Sequence, residues 1–156
     1  MAIRCDSASR LIKAPPEAIY AAFVTREAVS KWLAPEGATL EVQAFEPQIG
    51  GQFRMTLTFA ATPGKSTADT DVVVGRFVDL APAERIVQAF EFDSADPAFA
   101  GTMTMTWTLL AVAHGTEVVV TARDVPPGIS QSDHEAGMQS SLANLAAFVE
   151  APPPHR

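Results

Sequence analysis

What the chain lacks sets the first limits. Its 156 residues include one cysteine, Cys5, so no internal disulfide can form and nothing marks an oxidising compartment. Positive charge is scarce: 11 Lys and Arg stand against 18 Asp and Glu, for a formal net charge of -7. No Lys/Arg block offsets this locally. A surface of that sign repels phosphate backbones and anionic lipid, so neither nucleic acid nor a membrane surface is an expected partner. No run of about eighteen apolar residues is present to span a bilayer. The opening MAIRCDSASR carries charges early and has no apolar core, so no secretory leader is expected and the cytoplasm is the expected location. There is no G-x-S-x-G elbow, and Gly50-Gly51 is followed by neither a Walker pair nor a G-x-G-x-x-G, so it reads as a turn. The three histidines, His114, His134 and His155, do not share a helix at ligand spacing and have no cysteine near them. No metal and no cofactor are therefore expected.

What is present is an ordinary globular composition, 47% hydrophobic and 19% charged. The length suits one domain, placed at residues 1–150, with a Pro-rich tail at 151–156 that should fray. Arg4 to Lys13 reads as a strand. Pro15-Pro16-Glu17 then opens a helix to Val24, with proline tolerated in the first turn and an acid favoured there by the helix dipole. Thr25 can cap a second short helix through Trp32, stopped before Pro35 and Gly37. From Ala38 the period changes to two. Strands are expected at Leu40–Phe45, at Gln52–Phe59 (where Phe53, Met55, Leu57 and Phe59 alternate with polar residues), at Asp71–Leu80 and at Arg85–Asp93. Two more follow at Met103–Leu109 and Thr116–Arg123, joined at His114-Gly115. Thr62–Thr70 and Ser94–Gly101 read as loops. Ser130 or Ser132 then caps a long helix to about Val149, with its stripe at His134, Met138, Leu142 and Leu145. Consecutive strands joined by short turns form an antiparallel meander, and only its concave face is large enough to bury that stripe.

Several segments, in this order and spacing, resemble a known family. They are Ile12-Lys13-Ala14-Pro15-Pro16-Glu17-Ala18-Ile19-Tyr20, Lys31-Trp32-Leu33-Ala34-Pro35 with Gly37, and Gly50-Gly51-Gln52-Phe53-Arg54. Gly75-Arg76-Phe77, Pro82-Ala83-Glu84-Arg85-Ile86-Val87, Gly115-Thr116-Glu117-Val118 and His134-Glu135-Ala136-Gly137-Met138 complete the set. From about Ile3 to Glu150 the chain is similar to the START-like (SRPBCC, birch-pollen-allergen-like) superfamily. Within it, the chain resembles the bacterial branch related to the activator of the heat-shock-protein-90 ATPase. The resemblance implies an α+β helix-grip fold: a seven-stranded curved antiparallel sheet around a long C-terminal helix, two short helices after the first strand, and a cavity. One departure is Met138, where members often carry Trp; a flexible thioether there reshapes the pocket wall.

The expected pocket lining is Trp32, Phe45, Phe53, Met55, Phe77, Gln88, Phe90, Phe92, Met103, Met105, Trp107, His134 and Met138. Rings and thioethers adapt to varied ligand shapes, although each alone reads equally as core, and Trp32 more readily as a core staple than as a lid. Gln43 and Gln88 are placed facing inward with Phe45 and Phe90. His134 could hydrogen-bond a ligand or act as a general base, but a solvated histidine in a first helical turn is the preferred reading. The carboxylates, Asp71 and Asp93 among them, are expected on the solvated surface. Cys5 lacks a nearby histidine, and no catalytic residue is assigned. Val72 and Val74 share the outward face of Arg76, so a second subunit is one expected cover, giving a homodimer. The leading expectation is a binding module for a small or medium hydrophobic molecule. The alternatives are a cyclase- or hydrolase-type enzyme using the same cavity, and a chaperone or stress-linked interaction domain.

Overall fold

The computed structural model describes residues 4–34, 37–60 and 69–150. The chain enters as strand β1 (Cys5–Ile12), followed by helices α1 (Pro16–Val24) and α2 (Arg26–Trp32). Six strands come next: β2 (Ala38–Phe45), β3 (Gln52–Phe59), β4 (Thr70–Ala81), β5 (Arg85–Phe92), β6 (Met103–Val112) and β7 (Gly115–Arg123). Helix α3 (Gln131–Glu150) closes the chain. All seven strands form one antiparallel sheet in the order β1-β7-β6-β5-β4-β3-β2. The first strand thus pairs with the last, and the two short helices carry the chain to the opposite edge.

Local chemistry accounts for the helix starts. Pro15 and Pro16 occupy the cap and first position of α1, where a missing N–H costs nothing. The Ser130 hydroxyl accepts from the Asp133 N–H at 3.1 Å and its carbonyl accepts from the His134 N–H at 3.0 Å, which makes it the N-cap of α3. The polar loop read at Thr62–Thr70 falls largely in residues 61–68, outside the described residues, as does the tail 151–156. The segment read as a plain loop at Ser94–Gly101 contains a 3₁₀ turn, Pro97–Phe99, capped by the Asp96 carboxylate accepting from the Ala98 N–H at 2.9 Å.

Alternation places one face of each strand inside. Asp6, Ala8 and Ile12 are buried from β1, Phe53 and Met55 from β3, Met103, Met105, Trp107 and Leu109 from β6, and Val118, Val120 and Ala122 from β7. Gly75 on β4 is required by close approach: a methyl group there would collide with the Ala89 carbonyl and the Phe53 ring. Two irregularities break the alternation, a bulge at Val42/Ala44 in β2 and another at Phe77/Asp79 in β4. The first corrects the reading of Gln43. The extra residue turns its side chain out, where its amide donates to Thr56 Oγ1 at 2.9 Å.

Helix α3 does not fill the hollow of the sheet. Its close contacts are with β1, α1 and α2. Leu142 and Leu145 are fully buried there. Ser141 and Asn144 tie it to the end of α2 by donating to the Leu33 and Ala34 carbonyls at 3.1 and 2.6 Å. The N-terminal half of α3 stands off the central strands, and a void remains beneath it.

Candidate ligand cavity

The void measures about 660 Å³, within the usual 300–1,000 Å³ of small-molecule sites. Strands β2 to β6 and α3 build most of it. β3 contributes Phe53, Met55, Leu57 and Phe59; β4 contributes Asp71 and Val73; β5 contributes Gln88, Phe90 and Phe92; and β6 contributes Met103, Met105 and Trp107. Asp133, His134, Gly137, Met138 and Ser141 of α3 form the roof, with Leu33 and Leu40 at one side and Phe99, Gly128, Ile129 and Ser130 at the other. Large side chains line the space without filling it, because rings lock against rings. Phe90 meets Phe92 edge-on at 6.2 Å and Phe53 at 6.4 Å.

Ten of the thirteen residues read from the sequence as lining come together here: Phe53, Met55, Gln88, Phe90, Phe92, Met103, Met105, Trp107, His134 and Met138. Trp32, Phe45 and Phe77 do not, and each has a physical reason. The indole N–H of Trp32 donates to the Ala22 carbonyl at 2.9 Å, which draws the ring between Phe23 and Trp107, at 4.9 and 5.9 Å. It is a core staple behind the wall. Phe77 is pinned at the narrow end of the sheet by backbone bonds to Gly50 and Gly51, and lies beneath Phe53 at 5.4 Å. Phe45 packs edge-on against Phe77 at 5.6 Å, below the floor of the cavity.

Two expectations about polar groups are also corrected. Asp71 is 2% exposed and part of the wall, not a surface carboxylate. His134 is not solvated. Only 14% of its side chain is exposed, and Nδ1 lies 2.8 Å from Asp6 Oδ2. Asp6 is fully buried and holds a second partner: Arg4 donates Nε to Oδ1 and Nη2 to Oδ2, both at 2.8 Å. Arg4 Nη2 also donates to the Ile129 carbonyl at 2.7 Å, fixing the loop that leads into α3. The bonds from Arg4 outweigh the burial of Asp6 and, with His134 adding to them, hold its carboxyl below the usual carboxylate range. On the opposite wall the Trp107 indole N–H donates to Gln88 Oε1 at 3.2 Å, which orients the Gln88 amide beside the cavity.

Sequence reasoning passed over Asp6, although a signal existed: it shares strand parity with Ala8 and Ile12 and so faces inward. Phe99 had one as well, in the Asp96-Pro97 pair that starts a turn. Asp133 and Ser141 had none, because their place depends on how α3 is rotated. Among the described residues no group of three His, Cys, Asp or Glu side chains is arranged to hold a metal ion, and no helix is long and apolar enough to cross a membrane.

A seven-stranded antiparallel sheet, two short helices and a long C-terminal helix over a cavity define an α+β helix-grip domain. Residues 13–150 match the family model described as Activator of Hsp90 ATPase homolog 1-like protein, and the chain belongs to that family, within the START-like superfamily. Among solved structures it is similar to protein CV1439 from Chromobacterium violaceum, with 32% identity and a TM-score of 0.86 over 95% of this chain and 98% of that one. An AHSA1-like protein from Aeromonas hydrophila shares the fold at 18% identity and a TM-score of 0.72, covering 98% and 99% of the two chains. A Rhodobacter sphaeroides protein does so at 23% and 0.77, covering 94% and 91%. No curated protein matches the chain.

Proposed function

We propose that this protein is a binding module that holds a small or medium hydrophobic molecule between its sheet and α3. The observation that carries the reading is the unfilled space of about 660 Å³ walled mainly by Phe, Met, Leu and Trp side chains. Interiors normally pack to crystal density, so a void this large under a long helix is a built feature. Apolar surface buried by an occupant would supply roughly 25 cal/mol per Å², and the thioethers of Met55, Met103, Met105 and Met138 can adjust to its outline. Membership of a superfamily whose fold commonly takes hydrophobic ligands supports the same reading.

The test is incubation of the purified protein with a cell lipid extract followed by native mass spectrometry. A retained mass on the protein is the expected result, and none retained overturns the reading. Gly137→Leu supplies the control. Gly137 borders the cavity, and a Cβ added there meets nothing within 4 Å. Leucine should enter the space, abolish retention and raise stability by up to about 1 kcal/mol through better helix propensity, measured by urea unfolding.

A further inference from the structure

His134 lines the cavity roof and is joined to Asp6 and, through it, to Arg4; apolar binding makes no use of this cluster. Its hydrogen bonds have a fixed polarity. Arg4 gives one bond to each oxygen of Asp6, so the buried carboxyl is an ionised acceptor with no proton of its own. The 2.8 Å contact with His134 must therefore be Nδ1–H donating to Oδ2. In a neutral imidazole so held, Nε2 carries a lone pair. Among the described residues no protein group donates to that nitrogen: the ring's one side-chain bond is the one to Asp6. Nor is Nε2 sealed away, because among the described residues no buried side-chain nitrogen or oxygen is left without a partner. His134 lines the cavity, so the acceptor is open to an occupant.

The rest of the wall selects against charge. Most of its residues are apolar, so any full charge would lose its hydration on entry. An anion would also meet Asp133, which borders the space next to His134.

We infer that the occupant is a neutral molecule with an apolar, ring-sized body and a hydroxyl group, and that this hydroxyl donates to His134 Nε2. The assignment rests on the ligand-holding reading above and adds its polar half: Asp6 positions the imidazole, and the imidazole reads a donor. No bond is made or broken.

The experiment titrates the full chain, at about pH 8, with 2-naphthol, 2-methoxynaphthalene and 2-naphthoate. Binding is read calorimetrically and by quenching of tryptophan fluorescence. 2-Naphthol should bind about tenfold more tightly than the ether, which cannot donate and leaves the acceptor unpaired. The carboxylate should bind more weakly than the naphthol. In His134→Phe, checked for folding by circular dichroism, naphthol and ether should become equal. Nitrogen-15 NMR of the imidazoles should show His134 protonated on Nδ1 and its Nε2 resonance moving on addition of 2-naphthol but not of the ether, a change that a merely structural histidine would not show.

Equal binding of naphthol and ether by the native protein overturns the inference, and that arm does not depend on any variant folding. Tighter binding of naphthoate, discrimination that persists in His134→Phe, or an Nε2–H tautomer overturns it too. If all three probes bind alike, the cavity reading stands and only the hydroxyl assignment is lost. If none binds, both fall.

Discussion

Burying a lone carboxylate costs several kcal/mol, and a fully buried Asp6 is tolerable only because Arg4 and His134 surround it. Asp6→Asn should therefore lower stability by roughly 1.5–3 kcal/mol, the scale of a lost charge-assisted hydrogen bond, measured by urea unfolding near neutral pH. The pH dependence follows with a definite sign. The folded pKa of Asp6 lies below its unfolded value, so its contribution is complete above the unfolded range near 3.9 and is lost as pH falls through the lower folded value. The native protein should lose stability over that acid window, and the Asn variant should lose less. Urea midpoints at about pH 5 and about pH 3 check this. Gly75 is the second sensitive residue. Gly75→Ala should cost about 1–3 kcal/mol by overpacking against Ala89 and Phe53. An unchanged melting temperature would contradict the close approach. Asp6 and His134 lie 128 positions apart, so parity alone could mark Asp6 as inward while its partner stayed illegible. Gln88 and Met138 were readable as lining because each lies in an unbroken periodic run. Gln43 was misread because the β2 bulge shifts the phase at it, and Phe45, although inward, packs on Phe77 below the cavity floor.

At the scale of elements, period-two alternation made the strands legible; the structure extends β2, β4, β6 and β7 by one to three residues at an end and trims β1 and β5 by one. The 3₁₀ turn at Pro97–Phe99 was missed because three residues carry no period. The edges of the sheet show what the sequence could not. β1 is an edge strand, yet its Ser7 N–H donates to Glu135 Oε2 at 2.8 Å, and the Lys13 N–H just past its end donates to Glu150 Oε2 at 2.7 Å. Both carboxylates come from α3, one near each end. At the opposite edge, Arg26 of α2 donates Nη2 to the Val42 carbonyl beside the bulge. Edge groups bound to side chains are poor templates for another strand. The cap of α3 also matters: Ser130→Ala should remove about 1 kcal/mol, measured by thermal unfolding.

At the scale of the molecule, the stance of α3 decides whether there is a site at all. Periodicity placed the helix over the concave face, but not its height, which depends on how closely its small residues let it approach β1 and α2. A ligand that binds only the folded state adds stability by mass action, about 2.7 kcal/mol at a hundred times Kd. For a chain of this length that is a rise of several degrees in melting temperature. A bound hydrophobe should produce that rise in the native protein and none in Gly137→Leu, by differential scanning fluorimetry.

The two glutamate tethers join α3 to β1 and to the residue just after it, across 128 and 137 positions of chain. Until the twenty residues of α3 dock, the aromatic palm of the sheet stays uncovered. Closure is therefore a long-range contact of the kind whose loop-closure cost slows folding.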